Sequence, residues 1–237
     1  MSKAPSLVAR GLTRRYGGFT ALKGVDITLQ SGEIRGLIGS NGAGKSTCMD
    51  VLTGRGPDLI GEVQLEGVDI SKLSERARRR AGLARSFQKT NIFPELTVRQ
   101  QVALAARRAE FDNTEEVLSE LGLMPHADRL AGDISYGDQR RVDLALTLVG
   151  RPKVLLLDEP AAGLTLEESL SLARMLRALA EQWKLTVMLV EHDMEVIFSV
   201  CDHLTVLHLG EILTEGSPEA VRSNPEVVKA YLGSTFA

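Results

Sequence analysis

Aromatic residues make up only 4% of this 237-residue chain, so its core must rest on leucine, valine, isoleucine and alanine. Long apolar runs are missing too. The stretches VLLL at 154–157 and VMLV at 187–190 are strand length, far below the roughly 20 residues that span a bilayer as a helix. The opening, MSKAPSLVAR, carries no apolar signal segment, and a soluble, cytoplasmic chain is expected. The two cysteines, Cys48 and Cys201, have neither disulfide nor metal-ligand spacing and read as buried or spectator thiols. Charge bias is slight: the net charge is −3 with both signs spread along the chain, which argues against nucleic acid as the main partner. Arg76, Arg78, Arg79 and Arg80, with Arg85 beyond them, form one basic cluster that reads as a solvated helix face.

What is present is alternation. The stretch Leu7–Leu12, then Val25, Ile27 and Leu29 with polar residues between them, predicts an opening of strands. A compact apolar run at 34–38 ends in a glycine-rich turn, and a helix is expected over 45–53. A strand over 62–65, a charged helix over 74–81 and a short strand ending at residues 86–88 follow. Residues 97–130 read as helical, with Val98, Val102, Leu104 and Ala105 on one helix and Val117, Leu118 and Leu121 on a second, closed by Gly122. A helix over 138–149 then feeds a strand over 153–158, and a helix over 166–183 feeds a strand over 185–191. Thr165 and Glu168 form a capping box ahead of that long helix, and Ser217-Pro218 and Asn224-Pro225 each read as an N-cap followed by proline. Alternation at both ends with a helical middle predicts an α/β core carrying an inserted helical subdomain. The expected division puts residues 1–88 and 150–237 in the core, with an N-terminal β subdomain, and residues 89–149 in the helical part of one domain.

Residues 39–46, GSNGAGKS, fit GxxxxGK[ST] and lie between an apolar strand and a helix. Backbone amides of Gly39, Ser40, Asn41, Gly42, Ala43 and Gly44 can curl around phosphate oxygens, and a helix N-terminus adds positive dipole there. Lys45 would neutralise the β- and γ-phosphates, the Ser46 hydroxyl would hold Mg²⁺, and Thr47 joins the expected ATP-binding set. The second element is VLLLDEP at 154–160, in which a buried strand delivers Asp158 to a sheet edge as a magnesium-binding Walker-B acid. Glu159 beside it is the expected general base. Together these make a P-loop NTPase.

ISYGDQRR at 134–141, just before a helix and about twenty residues upstream of Asp158, resembles the LSGGQ signature of ABC ATPases. The resemblance gives Ser135 and Gly137 phosphate contacts, while Tyr136 stands for a glycine and Asp138 for the glutamine. It also makes Tyr16 the aromatic on adenine, Gln88 the Q-loop residue that reaches the metal, and His192 the switch histidine on the γ-phosphate. Residues 161–164, AAGL, occupy the D-loop, whose usual acid is replaced by Thr165. ARSFQ at 84–88, NIFPELT at 91–97, EPAAGL at 159–164, VEHDM at 190–194 and NPEVVKAYLG at 224–233 are most similar to the ATP-binding subunits of branched-chain (hydrophobic) amino acid importers. Urea, amide and aromatic-acid importers and a lipopolysaccharide-export ATPase share much of that pattern. A lipid exporter or a soluble, non-transport ABC ATPase is the alternative.

The resemblance implies a RecA-like core, an N-terminal antiparallel β subdomain and a helical signature subdomain. It implies an ATPase with ATP and Mg²⁺, Glu159, His192 and Lys45 catalytic, and Ser46, Gln88 and Asp158 toward the metal. Implied partners are permease subunits, a second ATPase subunit, identical or homologous, and, indirectly, a solute-binding protein, with the chain peripheral on the cytoplasmic face of the membrane. Ile92, Phe93 and Leu96, stiffened by Pro94, read as an exposed docking surface for the permease.

Overall fold

The computed structural model describes residues 4–56, 60–86 and 90–232. The chain opens with a long hairpin, β1 (Pro5–Tyr16) and β2 (Phe19–Gln30), in which Val25, Ile27 and Leu29 point inward at every second position. Next come β3 (Ile34–Ile38), α1 (Lys45–Thr53), β4 (Ile60–Leu65), β5 (Val68–Asp69), α2 (Glu75–Ala81) and β6 (Leu83–Arg85). A helical stretch holds α3 (Val98–Ala109), α4 (Thr114–Glu120) and α5 (Tyr136–Leu148). The remainder is β7 (Val154–Asp158), α6 (Leu166–Trp183), β8 (Thr186–Val190), α7 (Met194–Val200), β9 (His203–His208), β10 (Glu211–Gly216) and α8 (Pro218–Arg222).

Two sheets result. One is antiparallel in the order β2-β1-β4-β5. The other runs β10-β9-β3-β8-β7-β6, parallel except for the pairing of β10 with β9. All five residues of β3, β7 and β8 are buried, as strands covered on both faces must be. Period two then sorts their side chains. Leu155, Leu157, Val187 and Leu189 join the apolar cluster formed with α3, α5, α6 and α7. Val154, Leu156, Met188 and Val190 join the one formed with α1 and the antiparallel sheet. This is the expected α/β core with an N-terminal antiparallel sheet. Among the described residues no helix is long and apolar enough to cross a membrane.

Helix starts follow the expected chemistry. Thr165 and Glu168 exchange both bonds of a capping box, as do Thr97 and Gln100, and Ser217 and Asn224 each cap a turn opened by proline. Ser135 caps α5, which begins two residues earlier than expected. The four apolar residues expected on one helix, Val98, Val102, Leu104 and Ala105, all lie on α3. Leu104 is exposed, and the buried stripe of α3 runs through Val98, Val102 and Ala106. The arginine cluster is a solvated face only in part: Arg76 and Arg80 are exposed, but Arg78 is 1% exposed and donates to the carbonyls of Leu52, Val51, Leu73 and Ser71. Arg79 reaches the carbonyls of Thr147 and Val149. A guanidinium has five donors, and the last turn of α1 has carbonyls that no helical amide can reach.

Candidate functional site

In a parallel sheet, the loops leaving the carboxyl ends of neighbouring strands meet, and ligands settle there. Here those loops follow β3, β7 and β8, and they carry residues 39–46, Asp158 with Glu159, and Glu191 with His192. Glycine is required at the first turn: Gly39 has φ +152°, and a Cβ on it would fall 2.2 Å from the Leu207 carbonyl oxygen. Gly44, at φ +109°, is the N-cap of α1 and supplies no capping side chain. The first amides of that helix therefore depend on a ligand or solvent for their partners, which fits an anion.

Lys45 is buried and folds back over its own loop, donating to Gly39 O at 2.7 Å and Ser40 O at 3.1 Å. Burial lowers its pKa, opposed by the charges of Glu159 and Asp158 nearby. Asp158 ends β7, and its Oδ2 accepts from Arg85 Nη2 at 3.1 Å; the same guanidinium pairs with Asp50 on α1. Glu159 turns out of the sheet with φ +50°, its amide donating to Val190 O at 2.9 Å. Its Oε1 lies 2.8 Å from His192 Nε2. With the carboxylate as acceptor, it is the Nε2–H tautomer of His192 that makes this bond. The structure thus brings Lys45, Asp158, Glu159 and His192 together around one loop.

Ser46 and Thr47 lie in the first turn of α1. Among the described residues no three His, Cys, Asp or Glu side chains form a metal cage. Ser46 and Asp158 are donors of the kind that suit magnesium, which takes its other oxygens from phosphates and water. Gln88, the third expected metal residue, lies outside the described residues.

Tyr16 is half-exposed at the end of the first hairpin, pairing with Phe19, and the Arg14 guanidinium stands 5.4 Å from its ring centroid. That hairpin lies beside the glycine loop: the Ala21 carbonyl oxygen is 2.9 Å from where a Cβ on Gly44 would sit. Ser135 and Gly137 are not part of this cluster. They open α5 next to the loop after Pro160, where a Cβ on Gly137 would approach Glu168 and Leu164. The Ser135 hydroxyl donates to Asp138 Oδ2 at 2.6 Å and accepts from the Asp138 amide at 3.2 Å. Asp138 also faces His126 at 3.6 Å and Arg141 at 3.5 Å. Of the three apolar residues expected to be exposed for docking, Phe93 is; Ile92 packs against the core and Leu96 is partly buried.

Three residues of the site lie within motifs that carry the resemblance, at 84–88, 134–141 and 190–194, yet received no role of their own from the sequence. Arg85 reads as the end of a basic run, yet it holds Asp158. Arg140, 4% exposed, donates to the carbonyls of Pro160 at 2.9 Å and Glu159 at 2.6 Å. Glu191, also buried, accepts from the Ala161 amide at 2.7 Å and the His192 amide at 3.3 Å. Burial raises the pKa of Glu191 against the effect of those two bonds.

Comparison with known proteins supplies the family. The ABC transporter family model matches residues 22–162, and that of the branched-chain amino acid ATP-binding cassette transporter matches residues 211–237. The chain is 37% identical, over 97% of its length and 98% of the relative's, to the high-affinity branched-chain amino acid transport ATP-binding protein BraF of Pseudomonas aeruginosa. It is 36% identical, with the same coverage, to LivG of Escherichia coli, which bears the same description. Among solved structures, the ADP conformation of MJ1267, an ATP-binding cassette of an ABC transporter, is similar with a TM-score of 0.88 and 28% identity. That likeness covers 98% of this chain and 100% of the other.

Proposed function

The chain belongs to the ATP-binding subunits of ABC transporters, and from that membership we propose that it drives import of branched-chain or related amino acids. It would work at the cytoplasmic face of a membrane, paired with a second ATPase subunit and docked on permease subunits fed by a solute-binding protein. As an ATPase of this family it hydrolyses ATP, and the assignment of roles to individual residues is our reading.

Two subunits clamp two ATP molecules head to tail, each between the 39–46 loop of one chain and the Ser135–Gly137 loop of the other. Tyr16 stacks on the base. Lys45 leaves the carbonyls of Gly39 and Ser40 for the β- and γ-phosphates, an exchange helped by its buried surroundings, which strengthen charge pairing. Ser46, Asp158 and Gln88 would hold Mg²⁺, which would supply charge neutralisation at the phosphates. Glu159 accepts a proton from the attacking water while His192 fixes its carboxylate. Positioning and charge stabilisation supply most of the rate. ATP shifts the pair to its closed state only through higher affinity for that state, and hydrolysis removes the bias. Residues 89–149 form the helical unit through which closure reaches the permease.

The observation that carries this reading is the Glu159–His192 contact at 2.8 Å, beside Lys45 and Asp158 at the carboxyl edge of one sheet. The test is transport: the chain assembled with its permease subunits and solute-binding protein in proteoliposomes should drive ATP-dependent leucine uptake. ATP hydrolysis without uptake of leucine, isoleucine or valine would refute the solute assignment, and transport of lipid outward would favour an exporter.

A further inference from the structure

Side chains of α5 grip the loop that follows β7 at three carbonyls. Arg140 holds Glu159 O and Pro160 O, as described above. One turn earlier the Tyr136 hydroxyl donates to Ala162 O at 3.2 Å. Its ring lies against Gly163, where a Cβ would come 3.0 Å from Tyr136 Cε1. From the opposite side Glu191 holds the Ala161 amide. Residues 159–163 are thus clasped between α5 and the end of β8. The clasp has something to hold: Glu159 sits at φ +50°, a conformation that a non-glycine residue keeps when its surroundings over-determine it.

Tyr136 stands out within the clasp. Half its surface is exposed, so burial does not account for its place, and it lies between Ser135 and Gly137. One end of this short link is therefore the loop assigned to the second subunit's nucleotide. The other end is the backbone that carries the chain's own Glu159. We propose that Tyr136 is a positioning residue that makes these two loops move as one body. When Ser135 and Gly137 close on the nucleotide of the second subunit, Tyr136 carries that shift to the Glu159 loop, and the carboxylate takes up its working angle in the chain's own site. This rests on the head-to-tail pairing proposed above.

Tyr136→Phe removes the hydroxyl and nothing else. ATP binding by the resting chain and the KM for ATP should not change. ATP-driven dimerisation, measured by sedimentation in the Glu159→Gln background, should not change either. Turnover at saturating ATP should fall about fivefold, roughly 1 kcal/mol on the barrier. Tyr136→Ala, which also gives up the ring contact with Gly163, should fall further with the same unchanged KM. Turnover within a factor of about two of wild type in both variants overturns the inference. A loss carried by a raised KM or by weaker dimerisation also overturns it, because Tyr136 would then be a nucleotide contact. If Glu159→Gln alone forms no ATP-bound dimer, the pairing fails and the link between sites fails with it. A turnover-only loss in Tyr136→Phe would in that case still support Tyr136 as a prop for Glu159.

Discussion

Arg85 joins three parts of the site. Rising from β6, it pairs with Asp50 on α1 and with Asp158 at the end of β7, and only 6% of its side chain is exposed. Asp158 is enclosed to a similar degree, with 10% of its side chain exposed, whereas Asp50 keeps 30%. Arg85→Met preserves most of the length and removes the charge, leaving the Asp158 carboxyl in a poorly solvated position without this partner. Breaking a buried pair from one side costs about 3–5 kcal/mol. Water reaches Asp50, so its half of the loss is small, and a total of about 3 kcal/mol is expected. Urea denaturation at pH 7 reads this as a lower midpoint with an unchanged slope. Adding Asp50→Asn to the variant should return about 1 kcal/mol, since contacting residues couple. A loss below about 1 kcal/mol, the level of an exposed pair, would refute the account of Arg85 as the brace between β6, α1 and Asp158.

Asp138→Gln frees the Ser135 hydroxyl from a charge-assisted bond and removes a negative charge from a loop meant for phosphate. ATP-driven dimerisation measured by sedimentation should tighten about threefold to tenfold, about 0.7–1.4 kcal/mol, and weaker association would mean that Asp138 orients Ser135 usefully. Tyr16→Ala should cost about 1 kcal/mol of ATP affinity through lost stacking, measured by titration with a fluorescent nucleotide; unchanged affinity would put the adenine platform elsewhere. Glu191 has a raised native pKa, so the folded state holds its proton more tightly than the unfolded chain does. Its contribution to stability is therefore greatest below the unfolded value of about 4.3 and declines as pH rises through the native pKa. The difference in unfolding free energy between wild type and Glu191→Gln should fall over that window, and a flat or rising difference would contradict the burial argument.

The strand–loop–helix around residues 39–46 was legible because its signals are local: an apolar run, glycines at fixed offsets, and Lys45 opening the helix. The same holds for α6, whose capping box and helical spacing of leucines placed both ends at Leu166 and Trp183. Legibility failed where a side chain's partner is remote in sequence. Arg78 reads as solvated because hydropathy records the charge, while its partners are carbonyls of α1 more than twenty residues upstream, and its long stem packs as readily as an apolar one. Arg85 with Asp158, Arg140 with Glu159 and Glu191 with Ala161 are joined by the order of strands in the sheet, which no local spacing encodes. Which apolar residues of α3 pack was not legible from helical position alone: Leu104 lies on the helix as expected but is exposed.

Glu159→Gln bears most directly on the claim that the carboxylate held by His192 at 2.8 Å is the proton acceptor in ATP hydrolysis. The substitution keeps the size of the side chain and removes its basicity. Phosphate release should nearly vanish at saturating ATP, while ATP binding persists and sedimentation with ATP and Mg²⁺ reveals a trapped dimer. Turnover within a factor of about three of wild type, less than ~0.7 kcal/mol on the barrier, would contradict the assignment of Glu159.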